Sequence, residues 1–165
     1  MIRRPAQILA TGVALALVLS AVAQETPRLS RVQTDYLERC GGCHGIEGIS
    51  AEGLVPTLRH RAGYFLCTHA GRDYVARLPS VATSPLSDEA LANLINFVAF
   101  DIGDAAQLVA RPKAYSADEV HRLRTRPLNE VALSAYRFGV IEDLIKHCRA
   151  PPQLRDYRPS AAPGS

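Results

Sequence analysis

The pentapeptide Cys40-Gly41-Gly42-Cys43-His44 holds the residues of this chain best suited to chemistry. Two thiols three positions apart lie about one helical turn from each other, so both can reach the vinyl groups of a single porphyrin. The histidine that follows then faces the iron at the porphyrin's centre. This spacing predicts one covalently attached haem c, bonded through Cys40 and Cys43 and ligated by His44 on its proximal side. Glycine at both intervening positions lets the backbone pass close to the porphyrin edge. Two other uses of paired cysteines compete. A thioredoxin-like redox pair needs a preceding strand and a βαβ setting, whereas a helical stretch from Arg31 to Arg39 leads into this one. A zinc site needs a second ligand pair at short spacing, and the two remaining cysteines, Cys67 and Cys148, stand far apart.

The elements that must position this motif are helical. Ser30 is suited to cap a first helix whose apolar face carries Val32, Tyr36 and Leu37. Ser87 opens another, in which Leu91, Leu94, Ile95 and Val98 recur at helical spacing. No segment alternates apolar and polar residues as a half-buried strand would, so the fold class expected is all-α.

From Ser30 to Ile102 the chain resembles a class I cytochrome c. Beyond CGGCH, the resemblance rests on Pro56-Thr57-Leu58, similar to that family's Pro-x-Leu, and on Phe97, placed where the family packs its last helix against its first. It implies a cytochrome c-like helical domain over residues 28–103, folded around the haem. It also implies that the Pro56 carbonyl accepts a hydrogen bond from Nδ1 of His44, making Nε2 the iron ligand. A plain turn proline is the other reading of Pro56.

The sequence departs from that family on the distal side. Where the family has Met-Pro, this chain has Leu78-Pro79, and its single methionine is Met1. Three arrangements stay open: a five-coordinate or water-bound iron under an apolar lid of Leu78 and its neighbours, a distal histidine from His69 or His60, or another donor such as Cys67, Asn96 or a lysine. Each histidine also has a surface role open to it, as do His121 and His147. Arg72 and Tyr74 are candidate partners for the haem propionates, since a half-buried carboxylate needs charge-assisted donors. An exposed Arg72–Asp73 pair is the alternative.

Outside this region the chain reads as two further segments. Arg3 and Arg4 precede the apolar run Ile8 to Leu19, which ends in Ala21-Val22-Ala23, so residues 1–23 read as a cleaved signal peptide of a periplasmic protein, and no other stretch is apolar enough to span a membrane. Removing the two arginines lowers the formal net charge from +3 to +1, and a chain so near neutrality gives no case for nucleic acid. Residues 104–149 exceed what a cytochrome domain needs. A helix starting at Ser116 and another from about Leu128 to Lys146, carrying Val131, Ala135, Ile141, Leu144 and Ile145, form a helical extension that must bury its apolar face, with the haem domain as the nearest surface. Residues 150–165 read as a disordered tail. In an oxidising compartment Cys67 and Cys148 can join and clamp the extension down.

The expectation for function is single-electron transfer between redox protein partners, as cytochromes of this kind serve periplasmic dehydrogenases, at a potential below that of Met/His cytochromes. The alternatives are a haem with an open sixth position that binds CO, NO or peroxide for sensing or catalysis, and a haem subunit of a dehydrogenase complex.

Overall fold

The computed structural model describes residues 28–51, 53, 55–129 and 133–156. The expected signal peptide, Val131 and the end of the expected tail lie outside the described residues. Helix α1 (Arg31–Tyr36) starts at a capping box: the Ser30 hydroxyl accepts from the Gln33 N–H at 3.3 Å, and the Gln33 side chain accepts from the Ser30 N–H at 2.8 Å. The helix then widens, without breaking, into a π turn over Leu37–Gly41 and resumes as α2 (Gly42–His44). Cys40 therefore lies in the π turn, and Cys43 and His44 in the turn that follows. Gly45 stops the run at φ +75°, where a Cβ would come within 2.3 Å of the Ile49 carbonyl oxygen.

A 3-10 turn (Ala62–Leu66) leads to α3 (His69–Arg77), capped by Thr68, and α4 (Pro79–Ala82), which begins on a proline. Helix α5 (Asp88–Asn96) starts at Ser87, whose hydroxyl accepts from the Ala90 N–H at 3.2 Å, with Asp88 and Glu89 favourably placed in its positive first turn. It too widens into a π segment, Phe97–Ile102. Helix α6 (Ala117–Arg124) is capped by Ser116, and α7 (Leu133–Cys148) precedes a last 3-10 turn, Pro152–Asp156. Among the described residues there is no strand, as expected for an all-α chain.

Two apolar clusters hold these elements. In one, Tyr36 of α1 meets Phe97 edge to face at 5.7 Å, and Leu91, Leu94 and Ile95 of α5 pack with Val120 and Leu123 of α6. In the other, Phe65 and Tyr74 pack with Val140, Ile141 and Leu144 of α7 and with Leu154. The extension thus buries Ile141 and Leu144, with Ile145 half-buried, on the preceding helices, whereas Ala135, expected on the same face, is exposed. Val120 and Leu144 are fully buried, and each contributes on the order of 1.5–3 kcal/mol of apolar transfer.

Polar contacts pin the same joints. Arg72 grips Glu119 of α6 with Nε at 2.8 Å and Nη2 at 2.6 Å, and its guanidinium lies 4.1 Å over the Tyr115 ring. Arg124 donates to the carbonyls of Ala82, Ser84 and Leu86 and to Asp88. The Arg77 carbonyl accepts from the Leu128 N–H at 2.8 Å, while the Arg77 guanidinium donates to the Arg126 carbonyl at 2.6 Å. Cys67 and Cys148 are joined in a disulfide, their Cα atoms 6.2 Å apart across a separation of 81 residues.

Two expectations need correcting. Leu128 is not helical, because it follows Pro127 and its N–H is committed to the Arg77 carbonyl, and the described part of α7 runs from Leu133. The tail is ordered as far as Asp156: Leu154 is only 2% exposed and holds the 3-10 turn against α7.

Candidate functional site

His44 and Cys40 border a cavity of about 470 Å³, a volume within the range of small-molecule and cofactor sites. The loop before the first 3-10 turn contributes Pro56 and Leu58 to it, α5 contributes Leu91, Leu94 and Ile95, and the segment around the α3–α4 joint contributes Tyr74, Leu78 and Val81. The extension completes the lining with Leu133, Ser134 and Arg137 of α7 and with Leu154. Most of this surface is aliphatic, so a flat apolar group held here is shielded from water.

The imidazole of His44 is oriented by its backbone neighbour. Nδ1 lies 2.9 Å from the Pro56 carbonyl oxygen, which can only accept, so Nδ1 carries the proton and Nε2 keeps the lone pair. Burial lowers the His44 pKa, and the Pro56 hydrogen bond only partly opposes it, so the ring is neutral at pH 7, the form that binds a metal. Burial pushes the Cys40 thiol up to about 11, with Arg39 acting against the shift. Cys43, one turn on, is exposed at the surface, and both thiols are free.

Charge around the cavity has one sign. Arg39, Arg61 and Arg137 line it, and no described Asp or Glu does. Arg61 donates to the Gln153 carbonyl at 3.3 Å, and the Arg137 guanidinium lies 5.9 Å from the Phe65 ring centre. An acidic group bound here meets guanidinium donors without a competing carboxylate among the residues that line the space.

Haem c fits this residue set. Two thiols are present at the required spacing, a neutral imidazole has its second nitrogen fixed, the cavity is apolar, and arginines are available for two propionates. The candidate site residues then sort by position. Cys40, His44, Pro56, Tyr74 and Leu78 border the cavity.

Arg72 does not, because Glu119, Tyr115 and the Lys113 carbonyl hold it against the extension. His60 is also elsewhere: its side chain is 67% exposed, its backbone is at φ +57°, and Nδ1 contacts Asp104. His69 is exposed at the start of α3. Cys67 is consumed by the disulfide, and Asn96 both donates to and accepts from the Tyr115 backbone. His121 and His147 pair with Asp88 and Asp143 at the surface. Among the described residues lining the cavity, none is a second histidine, a methionine or a lysine.

The sequence reading missed Arg39, Arg61 and Arg137. Arg39 adjoins Cys40, and that adjacency was a usable signal. Arg61 and Arg137 reach the cavity only through the packing of the first 3-10 turn and α7, which no local pattern announces. No family model matches the chain, and no curated protein matches its sequence.

Proposed function

We propose that this protein is a periplasmic monohaem cytochrome c, class I-like but without the axial methionine, that passes single electrons between redox proteins, from a periplasmic dehydrogenase to a downstream acceptor. The observation that carries the reading is His44: it closes a C-x-x-C-H motif, borders a largely apolar cavity, and has Nδ1 held 2.9 Å from the Pro56 carbonyl. A bound haem supplies a one-electron iron couple. The chain's own residues do the rest. Cys40 and Cys43 fix the macrocycle covalently. Pro56 keeps Nε2 of His44 directed to the metal and raises its basicity. Leu58, Leu91, Leu94 and Ile95 keep water away, and Arg39, Arg61 and Arg137 offset the propionate charge. With leucine at position 78, the potential falls below that of Met/His cytochromes, because axial methionine raises it.

The proposed compartment rests on the cysteines. A disulfide between Cys67 and Cys148 supports an oxidising environment such as the periplasm. No helix among the described residues is long and apolar enough to cross a membrane.

One observation favours a second reading, a haem with an open sixth position that binds a small ligand: no second histidine, no methionine and no lysine lines the cavity among the described residues. The test is mass spectrometry and a pyridine haemochrome assay on the exported protein, followed by oxidised and reduced optical spectra with and without CO. One haem bound through two thioethers is the expected outcome, and its loss in Cys40→Ala/Cys43→Ala completes the case. A mature protein with two free thiols at Cys40 and Cys43 and no haem overturns it.

A further inference from the structure

The stretch from Arg77 to Asp88 supplies Leu78, Ser80, Val81 and Ser84 to the cavity wall. Leucine at position 78 offers no metal bond that could tether it, so its place depends on contacts with the rest of the chain. Within the stretch, the N–H groups of Val81 and Ala82 donate to the Leu78 carbonyl at 2.9 and 2.8 Å, and that of Ser84 donates to the Val81 carbonyl at 3.1 Å. These turns shape the stretch locally without fixing it over the cavity.

The fixing comes from five consecutive residues of the extension, Arg124 to Leu128. At the near end, the Arg77 carbonyl accepts from the Leu128 N–H at 2.8 Å, and the Arg77 guanidinium donates to the Arg126 carbonyl at 2.6 Å. At the far end, Arg124 commits four of its five N–H donors: Nε to the Ala82 carbonyl at 3.0 Å, Nη1 to the Leu86 carbonyl at 2.9 Å and to Oδ1 of Asp88 at 3.0 Å, and Nη2 to the Ser84 carbonyl. The Arg124 side chain is only 15% exposed, so these charge-assisted bonds are largely shielded from water. Helix α6, which carries it, is itself anchored by buried Val120 and Leu123 and by the Arg72–Glu119 pair.

From this arrangement we infer that Arg124 is a positioning residue: it holds the Leu78 side of the cavity shut and so limits how fast a small molecule from solution reaches the haem iron. The inference rests on the haem reading and deepens it by giving the extension a task. Three alternate carbonyls, those of residues 82, 84 and 86, converge on one planar cation, a geometry that the point charge of a lysine matches only in part. Without the guanidinium, the stretch is free to open locally while α5 and α7 stay packed.

The experiment uses the matured full-length protein as wild type, Arg124→Ala, Arg124→Lys and Ser30→Ala. The last removes the cap of α1 and reports what a general loss of stability does. Hydrogen–deuterium exchange is followed by mass spectrometry over residues 78–86, and CO association with the reduced protein is followed optically. Arg124→Ala should speed exchange from Val81 to Ser84 and CO association by about tenfold or more each, while exchange in α7 changes less than about threefold. Arg124→Lys should fall between Arg124→Ala and wild type, and Ser30→Ala should leave both readouts close to wild type. Faster exchange with an unchanged CO rate would overturn the inference and make Arg124 a packing residue. Unchanged exchange, equal effects in Ser30→Ala, or haem protein that binds no CO in any variant would overturn it as well. Where Arg124→Ala does not fold, Arg124→Lys decides: a CO rate raised about threefold or more supports the inference, and an unchanged rate overturns it. A protein exported without haem would instead overturn the function on which the inference stands.

Discussion

Removing the bond between Cys67 and Cys148 should destabilise the protein without undoing its fold. The closed loop spans 81 residues, and the chain-entropy relation gives a stabilisation of roughly 4.5 kcal/mol at 25 °C for a loop of that length. The effect resides in the unfolded chain, because other contacts hold the extension in the folded one. Val140, Ile141 and Leu144 stay packed on Phe65 and Tyr74, and the Arg77 carbonyl and guanidinium still tie down residues 126 and 128. The Cys67→Ala/Cys148→Ala double variant should therefore keep its circular dichroism spectrum. Its urea midpoint should drop by about 2 M, taking a slope of about 2 kcal/mol/M for a domain of this size. The slope itself should rise slightly, since the uncrosslinked denatured chain is more expanded. A midpoint within about 0.5 M of wild type would refute the reasoning and would mean that the oxidised chain gains little from the crosslink. Loss of the native spectrum would refute it differently, showing that packing alone cannot hold α7.

Three further outcomes can be checked. Ser87→Ala removes the hydroxyl that accepts from the Ala90 N–H and should cost about 1 kcal/mol in thermal or urea unfolding, with the spectrum unchanged. Leu144→Ala empties a fully buried position of α7 and should cost about 2–5 kcal/mol in the same assay. The third concerns pH. Hydrogen bonds from His121 and then Arg124 hold the Asp88 carboxyl below its ordinary pKa. Its stabilisation is present above the unfolded carboxylate value of about 4 and is lost as pH falls through the lower folded value. Unfolding midpoints of wild type and Asp88→Asn should thus differ at pH 6 and converge in acid, whereas a constant gap would show that the pair does not titrate as a unit.

Much of the local structure could be read directly from the sequence. Ser30, Ser87 and Ser116 each cap the helix expected of them, because a capping hydroxyl acts within three residues and leaves a local pattern. The apolar face of α5 and the packing of Phe97 against the first helix were equally accessible, the first from helical spacing and the second from the resemblance, whereas Tyr36 as the partner came from the fold. What escaped depended on partners distant in the chain. Arg72 looked like a cofactor contact until Glu119, 47 positions later, accounted for it. Arg137 drew no attention in the sequence, and only the fold brings it to within 5.9 Å of the Phe65 ring centre. Leu154 sat in a proline-rich stretch whose composition suggested disorder, yet its side chain is buried and its neighbour Arg155 donates to Glu142 of α7. Gly63 gave no sign of its role either: a Cβ there would come within 2.3 Å of the Gly103 carbonyl oxygen, a closeness set by the first 3-10 turn meeting the end of the π segment.

The π turn over Leu37–Gly41 has a bearing on how this helix tolerates change in length. A ring closed from residue i to i+5 accommodates one residue more than an α turn, while the helix on either side keeps its direction. That surplus amounts to a spare position, located between the capped start of α1 and the residues that face the cavity. Deleting Glu38, which is exposed, should let the turn relax to ordinary α geometry and leave Cys40, Cys43 and His44 where they are. The same deletion inside α1 has no slack to absorb it and would swing those three side chains by about 100°, one residue's worth of helical rotation. Homologous chains one residue shorter are therefore expected to carry their gap within the π turn.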